Sequence, residues 1–115
     1  MISNKNFKGY HYIFDFKNVP FDICNNKDHL ENIFNNIIEI SKMTCLQKYS
    51  HKFHPQGITG IYLLEESHLA YHTWPENGEI SFDLYTCGDK NAADEAIEEL
   101  KKLIPYQNIF KFIER

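Results

Sequence analysis

The stretch Gly57 to Gly88 reads GITGIYLLEESHLAYHTWPENGEISFDLYTCG, and its pattern decides the fold. Ile58 to Leu64 is a run of β-branched and apolar residues, Leu69 to Thr73 alternates, and Glu79 to Thr86 (EISFDLYT) alternates again, so three strands are expected in succession. Pro75-Glu76-Asn77-Gly78 separates the last two, and Asn-Gly predicts a hairpin because both residues tolerate positive φ. Upstream, Tyr10 to Phe16 (YHYIFDF) and Cys45 to Phe53 read as strands, the second ended by the His54-Pro55-Gln56-Gly57 turn.

Two helices complete the pattern. Asn25 to Met43 places Leu30, Ile33, Phe34, Ile37, Ile38 and Ile40 near one helical face, with Asp28 in the first turn. Asn91 to Leu103 carries its acids early and Lys101-Lys102 late, and Pro105 closes it. A short strand from Ile109 to Ile113 comes last. This order predicts an α+β two-layer sandwich, an antiparallel sheet with two helices on one face.

The 115 residues suit one domain, 1–115, and a domain this small gains from a partner that buries more surface. The formal charge of -4 has no basic stripe to suit nucleic acid. Hydrophobic residues make up 43% and aromatics 15%, which argues for a packed core and against disorder. No apolar run approaches membrane-spanning length. Cys24, Cys45 and Cys87 are odd in number and far apart, without a CxxC pair, so reduced thiols in a cytoplasmic setting fit best.

Chemistry is concentrated between Glu65-Glu66-Ser67-His68 and Cys87. A serine hydroxyl can attack the carbonyl of the residue before it, turning the peptide into an ester, if the backbone is strained and the oxyanion stabilised. A base that takes the serine α-proton then drives elimination, and loss of ammonia leaves an N-terminal pyruvoyl group. That ketone can form a Schiff base with an amine and withdraw electrons. Ser67, His68 or His72, Thr59 and Cys87 are the candidates, provided the strands bring them together. Each also has a plainer role. Ser67 suits a turn, the histidines suit an ordinary strand, Cys87 suits a small buried hydrophobe, and Phe53 and Trp74 suit the core. His68/His72 and His51/His54 have metal-like spacing, but i,i+4 pairs converge only on a helix, so no metal is expected.

Together FHPQGITG (Phe53 to Gly60), LLEESHLAYHTWPE (Leu63 to Glu76) and DLYTCGD (Asp83 to Asp89) closely resemble the prokaryotic-type S-adenosylmethionine decarboxylases. These are pyruvoyl enzymes of polyamine (spermidine) synthesis. The resemblance implies a proenzyme that cleaves itself between Glu66 and Ser67, giving a β chain 1–66 and an α chain 67–115 with the pyruvoyl group at Ser67. It implies His72 as processing base, Thr59 as the hydroxyl that assists the oxyanion step, and Cys87 as proton donor to the substrate α-carbon. Phe53 matches an aromatic that stacks on adenine and Glu76 an acid that binds the ribose; Trp74 is grouped with them in substrate binding. The family also implies a homodimer with two sites at or near the interface. Departures occur at Gly9-Tyr10-His11, where the family has a basic residue in the middle, and at Asn77-Gly78-Glu79-Ile80, where many members have an aromatic followed by Gly-Tyr-Ala. Glu79 or Glu76 facing a cationic substrate keeps arginine or ornithine decarboxylation as the alternative, and a non-catalytic regulatory partner as another.

Overall fold

A computed structural model describes residues 8–115. Six strands form one antiparallel sheet: β1 (Tyr10–Lys17), β2 (Cys45–Lys52), β3 (Ile58–Leu64), β4 (Ser67–Trp74), β5 (Glu79–Thr86) and β6 (Gln107–Glu114). Their order across the sheet is β2-β3-β4-β5-β1-β6. Helices α1 (Phe21–Cys24), α2 (Lys27–Ile40) and α3 (Lys90–Leu103) complete the fold.

Alternation on the strands builds the core. Tyr12, Phe14 and Phe16 of β1, Leu69 and Tyr71 of β4, and Ile80, Phe82 and Leu84 of β5 are buried. They meet Leu30, Ile33, Phe34, Ile37 and Ile38 of α2 and Ala93, Ala96, Ile97 and Leu100 of α3 in one cluster. Burial at this i, i+3, i+4, i+7 spacing is what makes each helix lie along the sheet. Capping fixes where the helices begin: the Asn26 side chain accepts from the His29 N–H and Asp89 from the Ala92 N–H. The two-layer α+β architecture expected from the sequence is the one observed.

The last strand and the first long helix differ from the expected bounds, β6 running from Gln107 to Glu114 and α2 from Lys27 to Ile40, and three further local features depart from the pattern. Helix α1 was not expected; its four residues are too few to show a helical period. Strand β4 is longer than 69–73 and starts at Ser67, since only Glu65 and Glu66 connect paired Leu64 and Ser67. Between β4 and β5, Pro75–Asn77 forms a 3₁₀ turn, and only Gly78 takes a positive φ, of 66°. Gly60 has a different duty: a Cβ there would lie 2.1 Å from the Tyr71 ring, so only glycine lets that ring reach the core.

Among the described residues, nothing covers the sheet face opposite the helices. Directly opposed residues share a face, so Tyr49, Ile61, Ala70, Asp83 and Ile13 form one row across it. Ile61, Leu63 and Tyr49 are 51%, 52% and 70% exposed there. Among the described residues, no helix is long and apolar enough to cross a membrane.

Candidate active site

The candidate residues fall into two groups at opposite ends of β4. At one end Ser67 pairs with Thr86 of β5, and Cys87 is the next residue. Ser67 is nearly buried, with 9% exposure, whereas Cys87 is exposed, contrary to the buried hydrophobe its type suggests. Exposure follows from position: Cys87 lies just past the last residue of β5, beyond the core. The bond before Ser67 lies in the two-residue turn, where Glu66 has a φ of 58°. A left-handed backbone at a non-glycine residue costs on the order of 1 kcal/mol, so strain is stored next to Ser67.

At the other end Thr59 of β3 pairs with His72, and the Thr59 Oγ1 to His72 Nδ1 distance is 3.0 Å. A recess of about 230 Å³ opens beside them, lined by Phe53, Gln56, Thr59, His72, Trp74 and Glu76, with Gly57, Ile58 and Thr73 completing it. Phe53 and Trp74, expected in the core from their type, are 49% and 39% exposed. Trp74 ends β4 on the face opposite buried Leu69, Tyr71 and Thr73, and Phe53 follows the last residue of β2. Gln56 Nε2 donates to Glu76 Oε1 at 3.4 Å, a partner the sequence reading did not identify.

One chain does not unite the two groups. Ser67 and His72 are five residues apart on one extended strand, about 16 Å at the usual rise. They also belong to different faces, since Ser67 is buried with Leu69 and Tyr71 while His72 is exposed.

His68, the other candidate base, is engaged elsewhere. Its Nε2 is 3.2 Å from Asp83 Oδ2, and the same oxygen is 2.8 Å from His11 Nε2. The sequence pattern does not show this trio, because three separate strands contribute to it. It has the composition of a metal site. However, Arg115 Nη1 is 3.1 Å from His11 Nδ1, and a guanidinium only donates. His11 therefore accepts at Nδ1 and carries its proton on Nε2, which donates to Asp83. The observed arrangement is a hydrogen-bonded network. His68 and His72 share a face but sit about 13 Å apart along the strand, too far to share an ion.

The altered flank after Trp-Pro-Glu is accounted for by the fold. Ile80 is fully buried in the core, and Glu79 Oε2 accepts from Lys17 Nζ at 3.0 Å. Neither is among the residues lining the recess.

The chain matches the family model for S-adenosylmethionine decarboxylase over residues 10–112. It is 38% identical over 94 residues to an S-adenosylmethionine decarboxylase proenzyme from Thermoplasma volcanium, covering 82% of this chain and 72% of the relative. It is 35% identical over 101 residues to the proenzyme from Persephonella marina, covering 88% and 76%. Among solved structures, the crystal structure of the adenosylmethionine decarboxylase from Aquifex aeolicus VF5 superposes with a TM-score of 0.88 at 27% identity, over 96% of this chain and 92% of that one.

Proposed function

This chain belongs to the S-adenosylmethionine decarboxylase family, and we propose that it decarboxylates S-adenosylmethionine with a pyruvoyl group made from its own Ser67. As a member it is a decarboxylase. The observation that carries the finer reading is the strained turn: Glu66 holds a φ of 58° immediately before a serine that begins a strand.

In this reading the Ser67 Oγ attacks the Glu66 carbonyl, and release of the left-handed turn helps an otherwise uphill step. The single domain 1–115 divides into a β chain 1–66 and an α chain 67–115. The residues fit a pyruvoyl group at 67, because Cys87 follows the residue paired with it and offers an exposed thiol. Once formed, that group supplies a ketone that binds the substrate amine and accepts the electron pair freed with carbon dioxide. Cys87 holds the proton that the substrate α-carbon receives. Phe53 and Trp74 offer ring faces for adenine, and Glu76, oriented by Gln56, offers oxygens to the ribose hydroxyls.

His72 and Thr59, together with Phe53, Trp74 and Glu76 of the same recess, enter from a second copy. The uncovered face with exposed Ile61, Leu63 and Tyr49 supports a homodimer that buries it. A two-fold axis passing between Leu69 and Ala70, with sheets packed about 10 Å apart, lays the His72 end of one β4 over the Ser67 end of the other. Free cysteines suit a cytoplasmic enzyme. The arginine or ornithine alternative is the less supported reading: the relatives are named for S-adenosylmethionine and Glu79 is paired with Lys17, which leaves it only Glu76.

Intact-mass measurement of aged protein tests the reading. Two fragments meeting at Glu66-Ser67, with a hydrazine-reactive carbonyl on the C-terminal piece, are expected. A single intact chain with no reactive carbonyl refutes it.

A further inference from the structure

Beside Cys87, the Tyr85 side chain sits in a seat built from three other strands. Its ring stacks on His68 at 5.9 Å and 26° and meets His11 edge-on at 5.9 Å. The Arg115 guanidinium, just after β6, lies 5.6 Å from the ring centre. Asp83 ties the two imidazoles together. Just before β1, Gly9 leaves room for the hydroxyl: a Cβ there would stand 2.6 Å from Tyr85 Oη. The phenol is thereby fixed with its oxygen 3.8 Å from Cys87 Sγ, and the thiol donates to it.

We propose that Tyr85 is the positioning residue for the Cys87 thiol, its oxygen orienting the S–H and its O–H turning to the sulfur once that proton has left. The inference rests on the reading of Cys87 as proton donor. The step moves no electrons between groups. The S–H bond breaks, the proton goes to the substrate carbon that lost its carboxylate, and the pair stays on sulfur. Water later returns a proton to the sulfur, while the phenol keeps its own throughout. Hydrogen bonding to Cys87 and then burial raise the Tyr85 phenol above its ordinary range, with Arg115 pulling the other way, which suits a phenol that keeps its proton.

The test needs no turnover. In the uncleaved Ser67→Ala protein, the rate of Cys87 alkylation by iodoacetamide is followed against pH, with peptide mass spectrometry separating Cys87 from exposed Cys45. Tyr85→Phe keeps the ring and removes the donor to the thiolate. It should move the Cys87 profile upward by about half to one pH unit and leave Cys45 unmoved. An unmoved Cys87 profile in Tyr85→Phe overturns the proposal. In the cleaved enzyme Tyr85→Phe should lower kcat several-fold at unchanged KM; an unchanged kcat also overturns it. Full turnover in Cys87→Ala would instead remove the reading of Cys87 as donor, an outcome the alkylation shift does not depend on.

Discussion

Two inactive variants of this chain should repair each other. Within one chain His72 is about 16 Å along β4 from Ser67, while a general base must come within about 3 Å of the proton it takes. His72→Ala should therefore fail to cleave itself for want of a base, and Ser67→Ala for want of a nucleophile. In the proposed mixed dimer, the His72 end of one β4 lies over the Ser67 end of the other. Equal amounts, unfolded and refolded together, pair at random, so about half of the His72→Ala chains sit beside a Ser67→Ala chain. Up to about half of the His72→Ala chains should then split at Glu66-Ser67, and no Ser67→Ala chain should. Intact-mass spectrometry reads both populations, since the substitutions differ in mass. Cleavage of His72→Ala alone at the parent rate refutes the reasoning, as does an uncleaved mixture that is shown to contain mixed dimers.

Cys87→Ala should cleave like the parent but decarboxylate far more slowly, measured as carbon dioxide release; fast release contradicts its role. Gly60→Ala drives a Cβ into the Tyr71 ring and should lower stability by about 3 kcal/mol in urea unfolding. Asp94 accepts from Tyr12 at 2.6 Å and from Lys90 at 2.7 Å. Burial works against its charge, but the Lys90 and Tyr12 hydrogen bonds prevail and hold the carboxyl below its ordinary value. A depressed carboxyl stabilises the fold above the unfolded-state pKa, near 4, and that share is lost as pH falls through the lower folded value. Asp94→Asn should flatten the acid side of a pH-stability curve; because the pair is largely exposed, the effect is small.

Most of the fold is legible in the sequence because strand alternation and helix period reflect burial directly. Tyr12, Phe14 and Phe16 on every second position leave little choice of face. The turns are less legible. Glu65-Glu66 has no glycine or asparagine to announce a tight reversal, so the pattern places the start of β4 two residues late. Asn77-Gly78 reads as a pair of left-handed residues, but Pro75 fixes a 3₁₀ turn that needs only Gly78. In the site, the order of Thr59, Ser67, His72 and Cys87 is visible and their separation is not. Spacing along a strand converts to distance only once its length is known. The His11-Asp83-His68 network leaves no trace in the sequence because its members come from β1, β5 and β4 and meet only through strand register.

The sheet order has a consequence for a chain cut at residue 66. Residues up to 66 supply β1, β2 and β3, and those beyond supply β4, β5 and β6, yet β1 is sandwiched between β5 and β6. Neither portion makes a contiguous sheet without the other. The two are dovetailed, so a nick at this bond leaves no piece free to drift off, and assembly has to come before scission. Once the dovetail is pulled apart, its halves must find each other as separate molecules, and loss of the native form becomes, in practice, a one-way event.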